Sequence, residues 1–123
     1  MLAKDRTGLL GEQKAAGYLE QQGHRILERR WRTKAGELDL ITVDGHELVA
    51  VEVKTRRGIG YGHPFEAITG KKLQRLRVLL NEYAAERGML AVRRRIDAVA
   101  VILERHHRST EAEAVLEHLK DLS

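Results

Sequence analysis

Four charged residues interrupt a stretch otherwise suited to burial: Glu37, Asp39, Glu52 and Lys54 in GELDLITVDGHELVAVEVKTR, residues 36–56. Carboxylates held close together repel, and they ionise together only when a cation compensates them. Their hard oxygens favour Mg2+ or Mn2+ over zinc. An ammonium group beside them can position a nucleophile or stabilise negative charge developing on a phosphoryl group. Such a set suits a bridging divalent cation, with the ammonium group adding to the compensating charge.

Whether these residues form a set depends on the strands that carry them. Asp44-Gly45 reads as a two-residue turn between strands at 37–43 and 46–55. In that register Val43 pairs with His46, Ile41 faces Leu48, Asp39 faces Ala50 and Glu37 faces Glu52. Directly opposed residues share a sheet face, as do positions two apart. All four charges then point one way, with Asp39 and Glu52 as diagonal neighbours about 7–8 Å apart or somewhat less at Cβ. Leu38, Leu40, Val49, Val51 and Val53 point the other way, toward the core.

A solvated sheet face is the plain alternative, and Glu-x-Lys on such a face is usually inert. Two features argue for a site. The same face carries Ile41, Leu48 and Ala50, so it is apolar toward the turn and charged only at the far end. Opposed Glu37 and Glu52 also destabilise a sheet unless something compensates them. A further acid, Glu12, falls in the apolar stripe of a helix over about residues 7–22, between Leu9 and Ala16. An inward carboxylate needs a partner.

The elements that must position these groups follow from the rest of the chain. Thr7 can cap the first helix and Gly23 can end it. Residues 24–30 read as a short strand. After the loop RRGIGYGHP, a second helix starts at Glu66 or Thr69 and runs to Arg87, with Leu73, Leu76, Leu79, Leu80 and Tyr83 on its apolar face. Residues 94–103 read as a buried strand, and Ala112, Val115, Leu116 and Leu119 have the spacing of a short closing helix, with a terminal strand as the alternative. The expected fold is mixed α+β: a sheet of about four strands flanked by helices, in the order α-β-β-β-α-β-(α). The first three strands form an antiparallel meander, and the fourth, reached by a helical crossover, pairs parallel.

The 123 residues fit one domain, and 42% hydrophobic content supports a core. Without cysteine there are no disulfides or thiolate metal sites, and the chain suits a reducing cytoplasm. No apolar run spans a bilayer, and the N-terminus has no signal-peptide pattern. Five aromatic residues are too few for base stacking to dominate binding. The net charge of +4 is modest but clustered, in runs such as Arg29 to Lys34, Arg56-Arg57, Lys71 to Arg77 and Arg93 to Arg95. Such runs give a polyanion a foothold, although a solvated surface accounts for +4 by itself.

GELDLI…VAVEVKTR, preceded by GEQKAAGYLEQQGHRIL and followed by RRRIDAVAVI, resembles the YraN-like family of small bacterial proteins. That family is assigned to the PD-(D/E)xK, or restriction-endonuclease-like, superfamily and is similar in layout to archaeal Holliday-junction resolvases. The likeness covers about residues 8–103 and implies a single nuclease-like domain with a metal-dependent phosphodiesterase site. Asp39, Glu52 and Lys54 match the motif, and Glu12 matches the helix-borne Glu of resolvase-like members. Glu37 and Asp97 match the Gly-Glu-x-Asp and Arg-x-Asp patterns without an assigned role. No Pro precedes Asp39, and Arg30 stands where the family tends to carry Asn.

On that reading Asp39 and Glu52, with the Val53 carbonyl and Glu12, would hold Mg2+ or Mn2+, and Lys54 would act on the phosphate. Arg32, Lys34, Arg56, Arg57, Lys71 and Lys72 would meet the backbone of a nucleic acid, most simply DNA. With few groups for base readout, a branched or flapped structure is the expected substrate. Cutting both strands of a junction would require a homodimer. The rival expectation is a non-catalytic nucleic-acid-binding or complex-assembly module that keeps the fold.

Overall fold

The protein's structure, a computed structural model, describes residues 3–58, 60, 62–105 and 112–122. Helix α1 spans Ala3–Gln21 and is followed by strands β1 (His24–Thr33), β2 (Gly36–Asp44) and β3 (Glu47–Arg57). A 3-10 turn at Pro64–Ala67 leads to α2 (Gly70–Glu86), then β4 (Arg93–Arg105) and β5 (Ala112–Leu119). The sheet order is β1-β2-β3-β4-β5, antiparallel throughout except for the parallel β3–β4 pair. The meander and the parallel crossover are therefore present as expected.

The chain closes with a strand rather than a helix. The spacing of Ala112, Val115, Leu116 and Leu119 suits a helix, but the segment also alternates, with Ala114 and Leu116 packing inward and Val115 and Leu119 exposed. Pairing with β4 covers the edge that β4 would otherwise leave open, and that tips the balance toward strand.

Each face of the sheet carries its own core. On one face, Ala15, Ala16 and Leu19 of α1 pack on Leu40, Val49, Val51, Val53, Val99 and Val101. Gly11 lets α1 approach closely, because a Cβ there would collide with the Thr55 side chain. On the other face, Leu76, Leu79, Leu80 and Tyr83 of α2 pack on Leu38, Ile41, Leu48, Ala50 and Ile96. Thr69 caps α2 by accepting from the Lys72 N–H at 3.2 Å. Gly88, at φ 66°, ends the helix: its N–H and that of Met89 bond back to the carbonyls of Ala85 and Ala84.

Two sequence expectations about the hairpin change. The turn is Gly45-His46, closed by Asp44 opposite Glu47, so Val43 faces Leu48 and Ile41 faces Ala50. Gly45 supplies the positive φ, 61°, that the first turn position needs. The slip relative to an Asp44-Gly45 turn is two residues, which keeps each side chain on its expected face. Leu38 is the exception. It joins the α2 core while Leu40 joins the α1 core, so alternation breaks at Asp39, across from Arg30 at φ 52°.

Candidate active site

That break places Asp39 between the two faces. The β2–β3 ladder ends at Leu40 opposite Val51, and beyond it the Asp39 carboxylate accepts the Val53 N–H at 2.8 Å. A side chain thus takes the place of a ladder hydrogen bond, and the central strands are joined through a carboxylate. Continuing the observed register brings Asp39 level with Glu52, rather than with Ala50 as the sequence spacing predicts.

Glu52 is 5% exposed and points to the α2 face. Lys54 Nζ lies 3.8 Å from Glu52 Oε1, and Lys72 Nζ lies 3.6 Å from Oε2. Lys72 comes from the first turn of α2, where cations oppose the helix dipole and no acidic residue offsets them. Its contact with Glu52 compensates for that placement. The sequence marks Lys72 as a phosphate contact, whereas the structure puts it against the central carboxylate. In sequence, Thr69 marks where this turn begins but not which sheet residue it meets.

Burial, followed by the charge of Glu52, pushes the Asp39 carboxyl up to about 8. At neutral pH the pair therefore keeps a proton on Asp39. Asp39 and Glu52 are the two hard-oxygen donors here that could hold a hard divalent cation, whose charge would take the place of the proton. Two carboxylates, completed by water and substrate oxygens, form a common donor set for Mg2+. Among the described residues no three acidic or histidine side chains converge as a metal cluster. The backbone of Val53 is engaged at this point through its N–H.

The remaining predicted residues divide into near and far. Glu12, on α1, pairs with Arg30 Nε at 2.8 Å and lines a small hollow of about 150 Å³ with Arg29 and Leu40. Its inward position is explained by that ion pair. Glu37 pairs with Arg32 at 3.3 Å instead of opposing Glu52, although its charge adds to the upward push on Asp39. Arg56 bonds the Thr55 carbonyl, Arg57 bonds Thr7, and Arg32, Lys34 and Lys71 are exposed. Ile59 and Tyr61 of the loop after β3 lie outside the described residues.

Asp97 belongs elsewhere. It is fully buried, accepts from Arg95, from His118 Nε2 at 2.8 Å and from the Asp121 N–H at 3.0 Å. Burial would raise its pKa, but these donors outweigh burial and hold it at about 2. Arg95 also binds Asp44 and Glu47 at the hairpin turn. His118 Nδ1 meets the Tyr18 hydroxyl at 3.0 Å.

Fold and cluster together define a class: a mixed five-stranded sheet between two helices, with acids and lysines gathered where the central ladder ends. The chain belongs to the UPF0102 family, described as "Uncharacterised protein family UPF0102", whose model matches residues 11–101. This is the YraN-like family that the sequence motifs resemble. A UPF0102 protein of Renibacterium salmoninarum is 48% identical over 122 residues, covering 99% of this chain and 99% of the relative. One from Paenarthrobacter aurescens is 47% identical over 120 residues, covering 98% and 95%. One from Rhodococcus jostii is 48% identical over 96 residues, covering 78% and 81%. Among the described residues no helix is long and apolar enough to cross a membrane.

Proposed function

We propose that this chain is a metal-dependent phosphodiesterase of the PD-(D/E)xK, restriction-endonuclease-like type, acting on DNA of branched or flapped structure. The observation that carries this reading is the Asp39–Glu52 pair, crowded enough to retain a proton and faced by two lysines. Mg2+ or Mn2+, when bound, supplies positive charge and Lewis acidity at the phosphoryl oxygens. Glu52 orients Lys54 and Lys72, whose ammonium groups are placed to donate to phosphate oxygens as charge builds there. Asp39, fixed by the Val53 N–H, would offer its other oxygen to the cation. Arg56 and Lys71 extend the positive surface along which a DNA backbone would lie.

A second reading has one observation in its favour. Glu12, the acid that the resemblance assigns to the site, is engaged by Arg30, as in a fold retained for binding alone. Cleavage separates the two. Wild type should cut at least one of linear, flapped or four-way DNA in Mg2+ or Mn2+. Asp39→Ala and Lys54→Ala should abolish cutting while DNA affinity survives, and Lys72→Ala should slow it by roughly 10²-fold. A wild-type protein that cuts none of these substrates, nor RNA, leaves the binding-module reading in its place.

A further inference from the structure

Away from the Asp39–Glu52 pair, α2 and β4 enclose a concavity of about 400 Å³ lined by Arg77, Arg93, Arg94 and Arg95 among apolar residues such as Leu80 and Leu90. That volume falls within the range of small-ligand sites, roughly 300–1,000 Å³. The four guanidinium groups differ in how far they are neutralised. Arg95 is fully engaged by Asp44, Glu47 and Asp97. Arg93 reaches Glu47 at 3.8 Å and Asp121 at 3.5 Å.

Arg94 and Arg77 meet no carboxylate among the described residues. Arg94 donates from Nε to Asn81 Oδ1 at 2.8 Å and from Nη1 to the carbonyls of Leu90 and Val92 at 2.9 and 3.0 Å. These neutral acceptors fix the guanidinium plane but leave its charge without a carboxylate partner among the described residues. Arg77 donates from Nη2 to the Leu122 carbonyl at 3.4 Å. It lies one helical turn before Asn81, so both project from the same side of α2. Leu90, 59% exposed, adds apolar surface at the rim.

The Asp121 carboxylate also lines the concavity, but it is drawn to Arg93, so the charges of Arg94 and Arg77 are taken up by no ion pair among the described residues. The planar fork of arginine matches phosphate oxygens in a two-point geometry, and an exposed apolar wall suits a sugar or base. We propose that this cavity binds the phosphate of a nucleotide, free or as a unit of a polynucleotide chain, with Arg94 as the fixed anchor and Arg77 as the second donor. The inference stands independently of the Asp39–Glu52 reading, because it uses none of that site's residues.

Titration calorimetry with AMP, adenosine and inorganic phosphate, together with competition by a short DNA duplex, tests it. AMP should bind saturably and adenosine should not, and Arg94→Gln and Arg77→Gln should each weaken AMP by about tenfold or more. Lys14→Gln, which removes a positive charge from α1 on the opposite face of the sheet, should leave AMP affinity unchanged. If a polynucleotide is the source, the duplex displaces AMP, and each arginine variant lowers the salt slope of duplex binding by about one. If a free nucleotide is the source, the duplex leaves AMP bound. Should Arg94→Gln fail to fold, Arg94→Lys keeps the charge without the fork and should still bind AMP more weakly than wild type. Absence of saturable binding by AMP, phosphate and duplex overturns the proposal. Binding indifferent to both arginine variants, in proteins that melt like wild type, does the same.

Discussion

At neutral pH the Asp39 carboxyl keeps its proton, because burial and the charge of Glu52 push it up to about 8 from an ordinary value of 3.8. An acid whose pKa rises on folding binds its proton more tightly in the folded state. Stability therefore falls as pH rises through the interval from about 4 to about 8, and the full penalty is present above it. In EDTA, wild-type melting temperature should drop by roughly 5 °C or more across that interval, and Asp39→Asn should flatten the drop. Mg2+ or Mn2+ at pH 8 should raise the melting temperature of wild type and leave Asp39→Asn unmoved, since a ligand stabilises only the state that binds it. A pH-independent wild type would mean that the Asp39–Glu52 repulsion is relieved by another route. The sequence exposes both acids and Lys54 through the alternation of the hairpin. It does not expose how Asp39 turns toward the Val53 N–H, because that depends on a break in β2 opposite a positive-φ arginine.

Elements with their own periodicity and punctuation were readable. Helix α2 has a clear apolar face, a Thr cap and a terminating glycine, and the hairpin has alternation and a turn signal. Elements settled by their neighbours were not. Strand β5 has a spacing compatible with helix, and the open edge of β4 decides it. The hairpin register moves by two residues because Gly45, rather than Asp44, takes the first turn position. The position of Lys72 against Glu52 depends on where α2 crosses the sheet, which no local pattern records. Glycine Gly11 shows how such a crossing is fixed for α1. Any side chain there meets Thr55 of β3, so Gly11→Ala should force the helix outward and cost about 1–3 kcal/mol in urea unfolding. Thr55→Ala should recover part of that loss in the double variant. Additive effects of the two changes would show that α1 has room to move without touching β3.

Across the whole molecule, ionisable groups on the α1 face set a limit opposite to that of Asp39. Asp97 receives donors from β4, β5 and Asp121, which follows β5, and through Arg95 it is linked to the β2–β3 turn. Held at about 2, it contributes stability above the ordinary aspartate range, and that stability is lost as pH falls from about 4 to about 2. Buried His24, bonded to Thr42 and lying 3.5 Å from Asp44, is shifted downward by burial. A histidine lowered on folding destabilises the fold as pH falls through its unfolded value near 6.5, so its loss begins at higher pH than that of Asp97. The acid limb and the Asp39 limb together place maximum stability of the metal-free protein in the mildly acidic range. Urea unfolding from pH 2.5 to 9 should trace that maximum. Asp97→Asn should remove the steepest acid segment and cost about 3–5 kcal/mol at pH 6, because Arg95 then keeps its charge with one partner fewer. His24→Gln should shift the onset of the acid limb to lower pH while leaving the alkaline side unchanged. Mg2+ should raise the alkaline limb alone, since the two carboxylates proposed to hold it lie beyond the end of the β2–β3 ladder and the Asp97 network lies on the α1 face. A Mg2+ effect of equal size at pH 3 and pH 8 would show that the cation acts elsewhere than at Asp39 and Glu52.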